Sequence, residues 1–277
     1  MQHNQSVLNK KRVTIIVPNY KTLDITKICM RLLRQYTDLN QADIVVVDNN
    51  SADASLDYLK SLTWIQLIER TPIQGEPVYL AHSRALDLAL QTITTPYVLS
   101  IHTDTFIKDA KWLDVLLAPF EANSKLAGVG SWKLESKTQI QLLGHKIEQF
   151  WKFALSKLFN YQGYRKNRFD INARYLRSHC AMYKTDIIKA LNTGFSDEED
   201  AAGRAMHKKM VAAGYDMLFL GSAHLGRYVD YLNHATMVLN PELGSSERSV
   251  KQGYKRIKQK LRGIDADKIL ANHALND

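Results

Sequence analysis

Two short β-branched segments near the start of the 277-residue chain restrict its fold more than any other feature. Residues 13–17 (VTIIV) and 43–47 (DIVVV) are apolar on both faces, which is typical of parallel strands buried within a sheet. Between them, apolar residues recur at helical spacing: Ile25, Ile28, Cys29, Leu32, Leu33 and Tyr36. A strand, a helix and a second parallel strand form a right-handed βαβ unit, so the chain begins as an α/β protein.

The alternation of strands and helices continues along the chain. It predicts a Rossmann-like, doubly wound, mostly parallel sheet flanked by helices. Further strands are expected at residues 64–68, 97–101, 128–134, 180–183 and 217–220. Further helices are expected at residues 54–62, 77–92, 110–120, 140–159 and 197–213.

Composition narrows the class of protein. With 45% hydrophobic and 23% charged residues, 13 Gly and 6 Pro, the chain is typical of a globular protein and not of a disordered one. Cys29 and Cys180 are too few for a disulfide framework, which favours a reducing, cytoplasmic compartment. Residues 1–12 are polar and basic, and no apolar run approaches the ~18 residues of a membrane-spanning helix. The sequence therefore predicts neither a signal peptide nor a membrane span.

The residues that follow the predicted strands are the candidates for ligand binding, because ligands of open α/β sheets lie beyond the carboxyl ends of the strands. No G-x-G-x-x-G or P-loop follows the first strand, which argues against ordinary dinucleotide-binding and ATPase sites. Instead, the strand ends carry an aromatic ring, short polar groups and carboxylates. These residues are Pro18, Asn19, Tyr20, Asp48, Asn49, Asn50, Ser51, His102, Thr103 and Asp104.

Three segments at these strand ends resemble the nucleotide-sugar half of family-2 glycosyltransferases of the GT-A fold. They are VPNY at 17–20, VVDNNSADAS at 46–55 and HTDT at 102–105. The resemblance implies an inverting transferase that uses a nucleotide sugar. The resemblance spans roughly residues 13–224. Because the sequence shows no internal repeat and no linker, we expect one domain over residues 1–245, with a nucleotide-binding half at 13–104 and an acceptor and catalytic half at 105–245.

The resemblance assigns the nucleotide contacts to the first two strand ends. Pro18 and Tyr20 would shape the pocket for the base, and Asp48 would accept a hydrogen bond from the imide N–H of uracil or thymine. The same implied nucleotide site includes Asn19, Asn50, Ser51, His102 and Thr103. The alternative for residues 48–53 is a polar turn between strand and helix, with Ser51 as the helix N-cap.

Asp104 matches the last acidic residue of the family's D-x-D motif. The resemblance implies that it holds Mn²⁺ or Mg²⁺ against the diphosphate, since both are hard cations that accept carboxylate and phosphate oxygens. His102 stands where the first aspartate usually lies, which leaves the metal preference open. His224 is implied as a second metal-site residue, with a structural role as the alternative and with weaker support for His234.

A loop between the third strand and the following helix is also implied in nucleotide binding. Gly75 fits the family's glycine at this place, whereas the family's expected asparagine is replaced by the run His82-Ser83-Arg84. Arg84 is the candidate for contact with the diphosphate. An exposed helix arginine is the alternative.

An inverting transfer needs a carboxylate that takes the proton from the acceptor hydroxyl. The acidic segment 196–200 (SDEED) supplies the candidates, with Asp200 as the predicted base and Glu199 as the alternative. The competing interpretation is structural, because Ser196 and Glu199 have the spacing of a capping box. That box does not use Asp200.

The resulting hypothesis is sugar transfer from a UDP- or dTDP-sugar to a saccharide or lipid-linked acceptor, in the biosynthesis of a cell-envelope polysaccharide (capsule, O-antigen or lipooligosaccharide). One alternative is a sugar-nucleotide nucleotidyltransferase, which would need a glycine-rich basic loop after the first strand. The other is a non-catalytic basic module that binds nucleic acid. No nucleic-acid-binding motif accompanies the charge, so no nucleic-acid partner is expected.

The net charge is concentrated near the end of the sequence. The formal charge is +9 (37 basic minus 28 acidic residues), and residues 248–262 carry seven basic residues and no acidic one. Tyr254, Ile257 and Leu261 form an apolar stripe among them. We expect residues 246–277 to form a basic helical appendage that places a cytoplasmic protein peripherally on the anionic inner leaflet. A solvated helix or flexible tail is the alternative.

Overall fold

The two β-branched segments pair as parallel strands at the heart of a mixed sheet. The computed structural model describes residues 11–132, 134, 174–244 and 246–277. Its strands are β1 Val13–Asn19, β2 Ala42–Asp48, β3 Gln66–Glu69, β4 Tyr97–Ile101, β5 Thr105–Ile107, β6 Leu126–Gly130, β7 Cys180–Lys184, β8 Asp216–Phe219 and β9 Val229–Tyr231. Its helices are α1 Leu23–Tyr36, α2 Ala54–Lys60, α3 Val78–Leu90, α4 Trp112–Ala122, α5 Thr185–Ala190, α6 Arg204–Ala212, α7 Ser222–Leu225, α8 Ala235–Leu239, α9 Glu247–Gly263 and α10 Ala266–Ala271.

Within the described residues, seven strands form one sheet in the order β3-β2-β1-β4-β7-β6-β8. All neighbours are parallel except β7, which runs antiparallel to β4 and to β6. Strands β5 and β9 form a separate antiparallel pair. The predicted doubly wound, mostly parallel sheet is confirmed.

Successive residues of β1 belong to different halves of the core, as the period of two in a strand requires. Ile15 and Val17 pack with α1 and α4, whereas Ile16 packs with α3 on the opposite face of the sheet. All three side chains are fully buried. The doubly apolar strand therefore results from helices that cover both faces of the sheet.

Three predicted elements need comment. The strand expected at 128–134 lies at Leu126–Gly130, and the helix expected at 140–159 lies outside the described residues. The helix expected at 197–213 begins only at Arg204. Its predicted first turn is a 3₁₀ turn in which Glu198 and Glu199 adopt left-handed backbone angles (φ 57° and 48°), which an α-helix cannot include.

The apolar stripe of α9 faces the protein core, so the expectation that it lies on a membrane is wrong. Ile257 is only 4% exposed and belongs to the same hydrophobic cluster as α1 and α4. Leu261 packs against that cluster, and Tyr254 remains half-exposed. The helices after residue 245 thus join the core of the preceding domain. Of the helices that the structure describes, none has the length and apolar content needed to cross a bilayer.

A buried arginine fixes the last turns of the chain to α1. Arg31 is 1% exposed and donates to the carbonyl oxygens of Ile269 (2.9 Å) and Leu270 (2.5 Å) and to Oδ1 of Asn276 (3.0 Å). The indole N–H of Trp64 donates to the Asn276 carbonyl at 3.0 Å. These donors satisfy backbone acceptors at a helix end, which would otherwise need other partners.

The contact between α9 and α8 can be tested at a glycine. A Cβ atom at Gly253 would lie 2.4 Å from Cγ2 of Val238. We expect Gly253→Ala to lower the free energy of unfolding by about 1–3 kcal/mol, the usual cost of overpacking. Urea denaturation measures the change. Gly263→Ala is the matched control, because a Cβ there meets no atom within 4 Å. Equal stability of the two variants would contradict the docking of α9.

Candidate active site

The carboxyl ends of β1 and β2 are joined by a buried network of hydrogen bonds. Asn19 Nδ2 donates to Asp48 Oδ1 (2.7 Å) and lies 3.1 Å from Ser51 Oγ. Ser51 donates to the Asp48 carboxylate through its hydroxyl (2.5 Å) and its backbone N–H (2.9 Å). Thr26 Oγ1 donates to Asn19 Oδ1 at 2.8 Å, so the network extends into α1. Asn19 and Asp48 are each 1% exposed or less.

This network bears on two predicted roles. Ser51 does not cap α2, because the N-cap is Asp53, whose carboxylate accepts from the Ser55 N–H at 3.0 Å. The alternative in which Ser51 is an N-cap is therefore wrong. Both carboxylate oxygens of Asp48 accept hydrogen bonds from within the protein, so in this structure Asp48 fixes the turn after β2. Its contact with a base stays a prediction.

Other predicted nucleotide contacts surround the network. Pro18 is buried within β1, whereas the Tyr20 ring is partly exposed, with Lys21 Nζ 5.2 Å from the ring centroid. Asn50 is exposed and left-handed (φ 59°). Tyr20 and Asn50 thus present accessible polar or aromatic groups beside a buried polar support.

The loop after β3 is held by an ion-pair chain. Both Glu76 carboxylate oxygens accept from Arg70 Nη2 at 2.7 Å, and Arg84 Nη1 lies 2.8 Å from Glu76 Oε1. Burial would raise the pKa of Glu76, but hydrogen bonds from the two arginines outweigh it and lower the pKa. Gly75 lies in this loop with φ +75°, a conformation that favours glycine. Arg84 also reaches Glu199 at 3.2 Å, so its side chain lies between the loop and the acidic segment.

Asp104 follows β4 and is almost completely buried. Its Oδ2 accepts from the Ala235 N–H at 2.8 Å, and its Oδ1 lies 3.8 Å from His102 Nδ1. Burial, opposed by backbone hydrogen bonds, raises the pKa of Asp104 to about 6. Thr103, the residue between His102 and Asp104, is also buried.

Two partly buried histidines, His82 and His102, and the buried His179 form a cluster beside this carboxylate, with His102 as its neighbour. Ser178 Oγ lies 3.0 Å from Nε2 of His102 and 3.3 Å from Nε2 of His82. The His179 ring stacks on Tyr231, with ring centroids 4.5 Å apart. Burial lowers the pKa of His82 to about 4, that of His179 to about 3 and that of His102 well below its ordinary value. The three imidazoles are therefore neutral at pH 7.

The structure brings His234, and not His224, to Asp104. In the antiparallel pair β5 and β9, Thr105 lies opposite Tyr231, and the Leu232 N–H donates to the Asp104 carbonyl. At the other end of the pair, Lys108 N–H donates to the Tyr228 carbonyl. His224 lies beyond that far end, exposed and 2.5 Å from Arg227 Nη2. The expected metal role of His224 is therefore not supported by its position.

The acidic segment does not form the capping box that its spacing suggests. The Ser196 hydroxyl donates to Asp87 Oδ2 at 2.5 Å and forms no cap hydrogen bond. Asp200 is partly exposed, and its Oδ1 accepts from Arg204 Nη1 (2.8 Å) and from the Ala201 N–H (2.6 Å). Glu199 is 69% exposed. The two candidate bases therefore each have an arginine partner.

Comparison with known proteins decides the family. The model of the family described as Glycosyl transferase family 2 matches residues 14–191, well over half of the chain. The chain belongs to this family. The chain spans less than two thirds of the length of the first relatives that it matches.

Solved structures share its GT-A fold. The Pyrobaculum calidifontis mannosyltransferase PcManGT, solved with GDP-Man and Mn²⁺, superimposes with a TM-score of 0.53 at 17% identity, over 76% of this chain and 56% of that one. S. aureus TarS 1–349 gives a TM-score of 0.52 at 15% identity, over 90% of this chain and 71% of that one. A curated relative, Uncharacterized protein L138 of Acanthamoeba polyphaga mimivirus, is 25% identical over 118 residues. That match covers 40% of this chain and 13% of the viral protein.

The residues around Asp104 fit a divalent ion that takes most of its ligands from the substrate. Within the described ranges, no three His, Cys, Asp or Glu side chains converge as ligands of one ion. A single carboxylate is still sufficient, because Mg²⁺ and similar ions are often bound by one or two carboxylates together with substrate phosphates. The neutral imidazoles add nitrogen donors, which favour a transition metal over Mg²⁺.

Because the Asp104 carboxylate is buried, replacing it with a neutral side chain should raise the free energy of unfolding. The pKa rises from 3.8 to about 6 on folding, so the unfolded state loses this proton first and the free energy of unfolding falls as the pH rises between these values. We expect Asp104→Asn to stabilise the metal-free glycosyltransferase by about 1–3 kcal/mol near pH 7.5, with no gain near pH 4. Urea denaturation in EDTA measures both. Asp114→Asn, at an exposed site on α4, is the control, and an equal gain for Asp104→Asn at both pH values would contradict the prediction.

Proposed function

We propose that this glycosyltransferase moves a sugar from a UDP- or dTDP-sugar to a saccharide or lipid-linked acceptor, with inversion at the anomeric carbon. The observation that carries the proposal is the position of Asp104. The chain winds from β1 outward through β2 and β3, then returns to β4 on the other side of β1. Ligands of such sheets bind at this switch point, where Asn19 ends β1, Tyr20 follows it and Asp104 follows β4.

In the proposed reaction, the oxygen of the acceptor hydroxyl bonds to the anomeric carbon as the bond from that carbon to the diphosphate breaks. The nucleoside diphosphate leaves with the bonding electrons, and a carboxylate takes the hydroxyl proton. We assign this carboxylate to Asp200, with Glu199 as the alternative. Arg204 fixes the direction of the Asp200 carboxylate, and Arg84 contacts that of Glu199.

The remaining residues bind the donor. Tyr20 would stack against the base, and Asn50 and the Gly75 loop would contact the nucleotide from the rim of the site. Asp104, with an imidazole of the neighbouring cluster, would hold Mn²⁺ or Mg²⁺, whose charge neutralises the departing diphosphate. PcManGT, with its bound GDP-Man and Mn²⁺, supports a metal-dependent nucleotide-sugar site in this fold.

Membership of a glycosyltransferase family favours this proposal over the nucleotidyltransferase and the nucleic-acid-binding module. We place the reaction in the assembly of a cell-envelope polysaccharide. Donor specificity is open to direct measurement. UDP, dTDP and GDP should each be compared with Mn²⁺ for thermal stabilisation, because a ligand that binds only the folded state raises the melting temperature.

The decisive test of the mechanism compares two neighbouring carboxylates, with the donor that stabilises the protein most. We expect Asp200→Asn to lower kcat by about 10²–10⁴-fold, because asparagine cannot accept the proton, and to leave donor affinity unchanged. Glu199→Gln is the matched control and should retain most of kcat. Loss of turnover in Glu199→Gln but not in Asp200→Asn would show that Glu199, and not Asp200, is the base. Full turnover in both variants would contradict an inverting base in this segment.

A membrane contact is proposed for the outer face of α9, on new grounds. Five basic residues recur every three or four positions on the side opposite Ile257, and all are exposed: Arg248, Lys251, Lys255, Lys258 and Arg262. A ridge of this kind suits the anionic inner leaflet, where each basic residue contributes ~1 kcal/mol. The helix would lie against lipid head groups without inserting, and would bring the site to a lipid-linked acceptor.

Removing the whole segment would not test this contact, because Ile257 and the Arg31 anchor belong to the core. Lys251, Lys255 and Lys258 should instead be changed together to Gln. We expect this variant to bind phosphatidylserine vesicles roughly 10²-fold more weakly in sedimentation at low salt, because about 3 kcal/mol is lost. The control changes three exposed lysines elsewhere, Lys111, Lys125 and Lys208, to Gln, with the same loss of net charge. Equal binding by both triple variants would remove the proposed membrane face.

A further inference from the structure

Asp87 on α3 is a partly buried carboxylate that the proposed chemistry does not use. It accepts three hydrogen bonds from the first residue of the acidic segment and the residue before it: from the Phe195 N–H (2.6 Å), the Ser196 N–H (2.8 Å) and the Ser196 hydroxyl (2.5 Å). Burial raises the pKa of Asp87, and these hydrogen bonds act against that shift. A lone carboxylate is costly to bury unless its oxygens are satisfied in this way.

The chain is built to let Asp87 come this close. A Cβ atom at position 194 would lie 2.6 Å from Asp87 Oδ1, so the glycine found there leaves room for the carboxylate. Gly194 does not have the positive φ that is found at Gly75, Gly203, Gly214 and Gly244, so its backbone conformation is open to other residues. The glycine is therefore needed because a side chain would collide with Asp87, and not because the backbone turns unusually.

The segment held by Asp87 is strained. Glu198 and Glu199 are consecutive left-handed residues (φ 57° and 48°), a conformation that is unfavourable for side chains other than glycine. Such strain persists only where the surroundings hold it, and it is concentrated at functional sites. Within the segment, the Asp197 carboxylate accepts hydrogen bonds from both Thr193 and Lys209.

Two side chains of the same helix therefore hold the acidic segment. Asp87 binds its beginning at residues 195 and 196, and Arg84, one turn earlier on α3, contacts Glu199. Arg84 also binds Glu76 in the loop after β3. Helix α3 thus connects the strand ends of the nucleotide half with the segment that carries Asp200.

We propose that Asp87 is a positioning residue that holds the acidic segment at the distance from the bound donor which proton transfer to Asp200 requires. This inference rests on the proposed function. In this role Asp87 acts through the backbone of Phe195 and Ser196 and not by contact with the reacting groups. Its removal should therefore lower the rate of the chemical step and leave donor binding intact.

The test compares Asp87→Ala, Asp87→Asn and Ser196→Ala with the full-length wild type. We expect Asp87→Ala to lower kcat by about 10- to 100-fold, the usual effect of misplacing a catalytic group by about an ångström, with KM for the donor changed less than about twofold. Asp87→Asn keeps one acceptor oxygen and should lose less. Ser196→Ala removes one of the three donors, leaves the carboxylate in place and should show the same pattern, weakest of the three.

Amide hydrogen exchange gives a readout that does not depend on turnover. In Asp87→Ala, the amides of Phe195 and Ser196 should lose protection, while those of β1 and β4 keep it. The stability control is Thr95→Val, which removes a buried hydroxyl that contacts Thr14 Oγ1 (2.8 Å) and donates to the Tyr97 carbonyl (2.9 Å), near the opposite ends of β1 and β4. The Thr95→Val variant should have a lower melting temperature than the wild type, but the same kcat at a temperature where both proteins are folded.

Three results would overturn the inference. Wild-type kcat in Asp87→Ala and Ser196→Ala, in an enzyme that Asp200→Asn inactivates, would do so while the proposed function stands. Equal loss of kcat and of donor affinity would show that Asp87 serves only the fold. Absence of sugar transfer by the wild type with every donor would overturn the proposed function, and the role of Asp87 with it.

Discussion

The hydrogen bonds among Asn19, Asp48 and Ser51 hold together the chain where it leaves β1 and β2. The turns that leave β1 and β2 contain four left-handed residues that are not glycine, namely Lys21, Thr22, Asn50 and Ala52. Such turns are costly in isolation. The Ser51 hydroxyl joins them, because it donates to Asp48 and accepts from the Lys21 N–H at 2.8 Å. A buried polar network thus stabilises two strained turns and keeps Tyr20 and Asn50 at the rim.

In contrast to that hydrogen-bonded network, the site around Asp104 is formed mainly by neutral polar side chains. Two buried carboxylates at positions 102 and 104 would each raise the pKa of the other. Here His102 is neutral, and Ser178 offers a hydroxyl to both His102 and His82. The site therefore presents one ionisable carboxylate among neutral donors. Phosphate oxygens of the donor would complete the neutralisation of a bound cation.

The sequence was sufficient for the sheet and for most strand-end residues, since buried parallel strands show an unmistakable apolar pattern. It failed where the decisive partner is distant. Ser196 and Glu199 have capping-box spacing, but the Ser196 hydroxyl binds Asp87, a residue 109 positions earlier. His224 follows a predicted strand and His234 does not, yet the register of β5 with β9 brings the chain at His234 to Asp104. Asp87 itself carried one signal, an acid among the apolar residues of α3, which local patterns cannot interpret.

The basic segment shows the same limit in terms of charge. The sequence alone does not distinguish the seven basic residues between 248 and 262. In the structure, however, two of them form hydrogen bonds with the rest of the protein. Arg256 donates to the carbonyl oxygens of Leu232 (3.1 Å) and Asn233 (2.5 Å), and Lys260 donates to the Tyr231 carbonyl (2.7 Å). These contacts hold α9 against the segment that leads from β9 to His234. The remaining five are exposed on the outer face, so one helix both stabilises the segment beside Asp104 and leaves a row of basic side chains accessible.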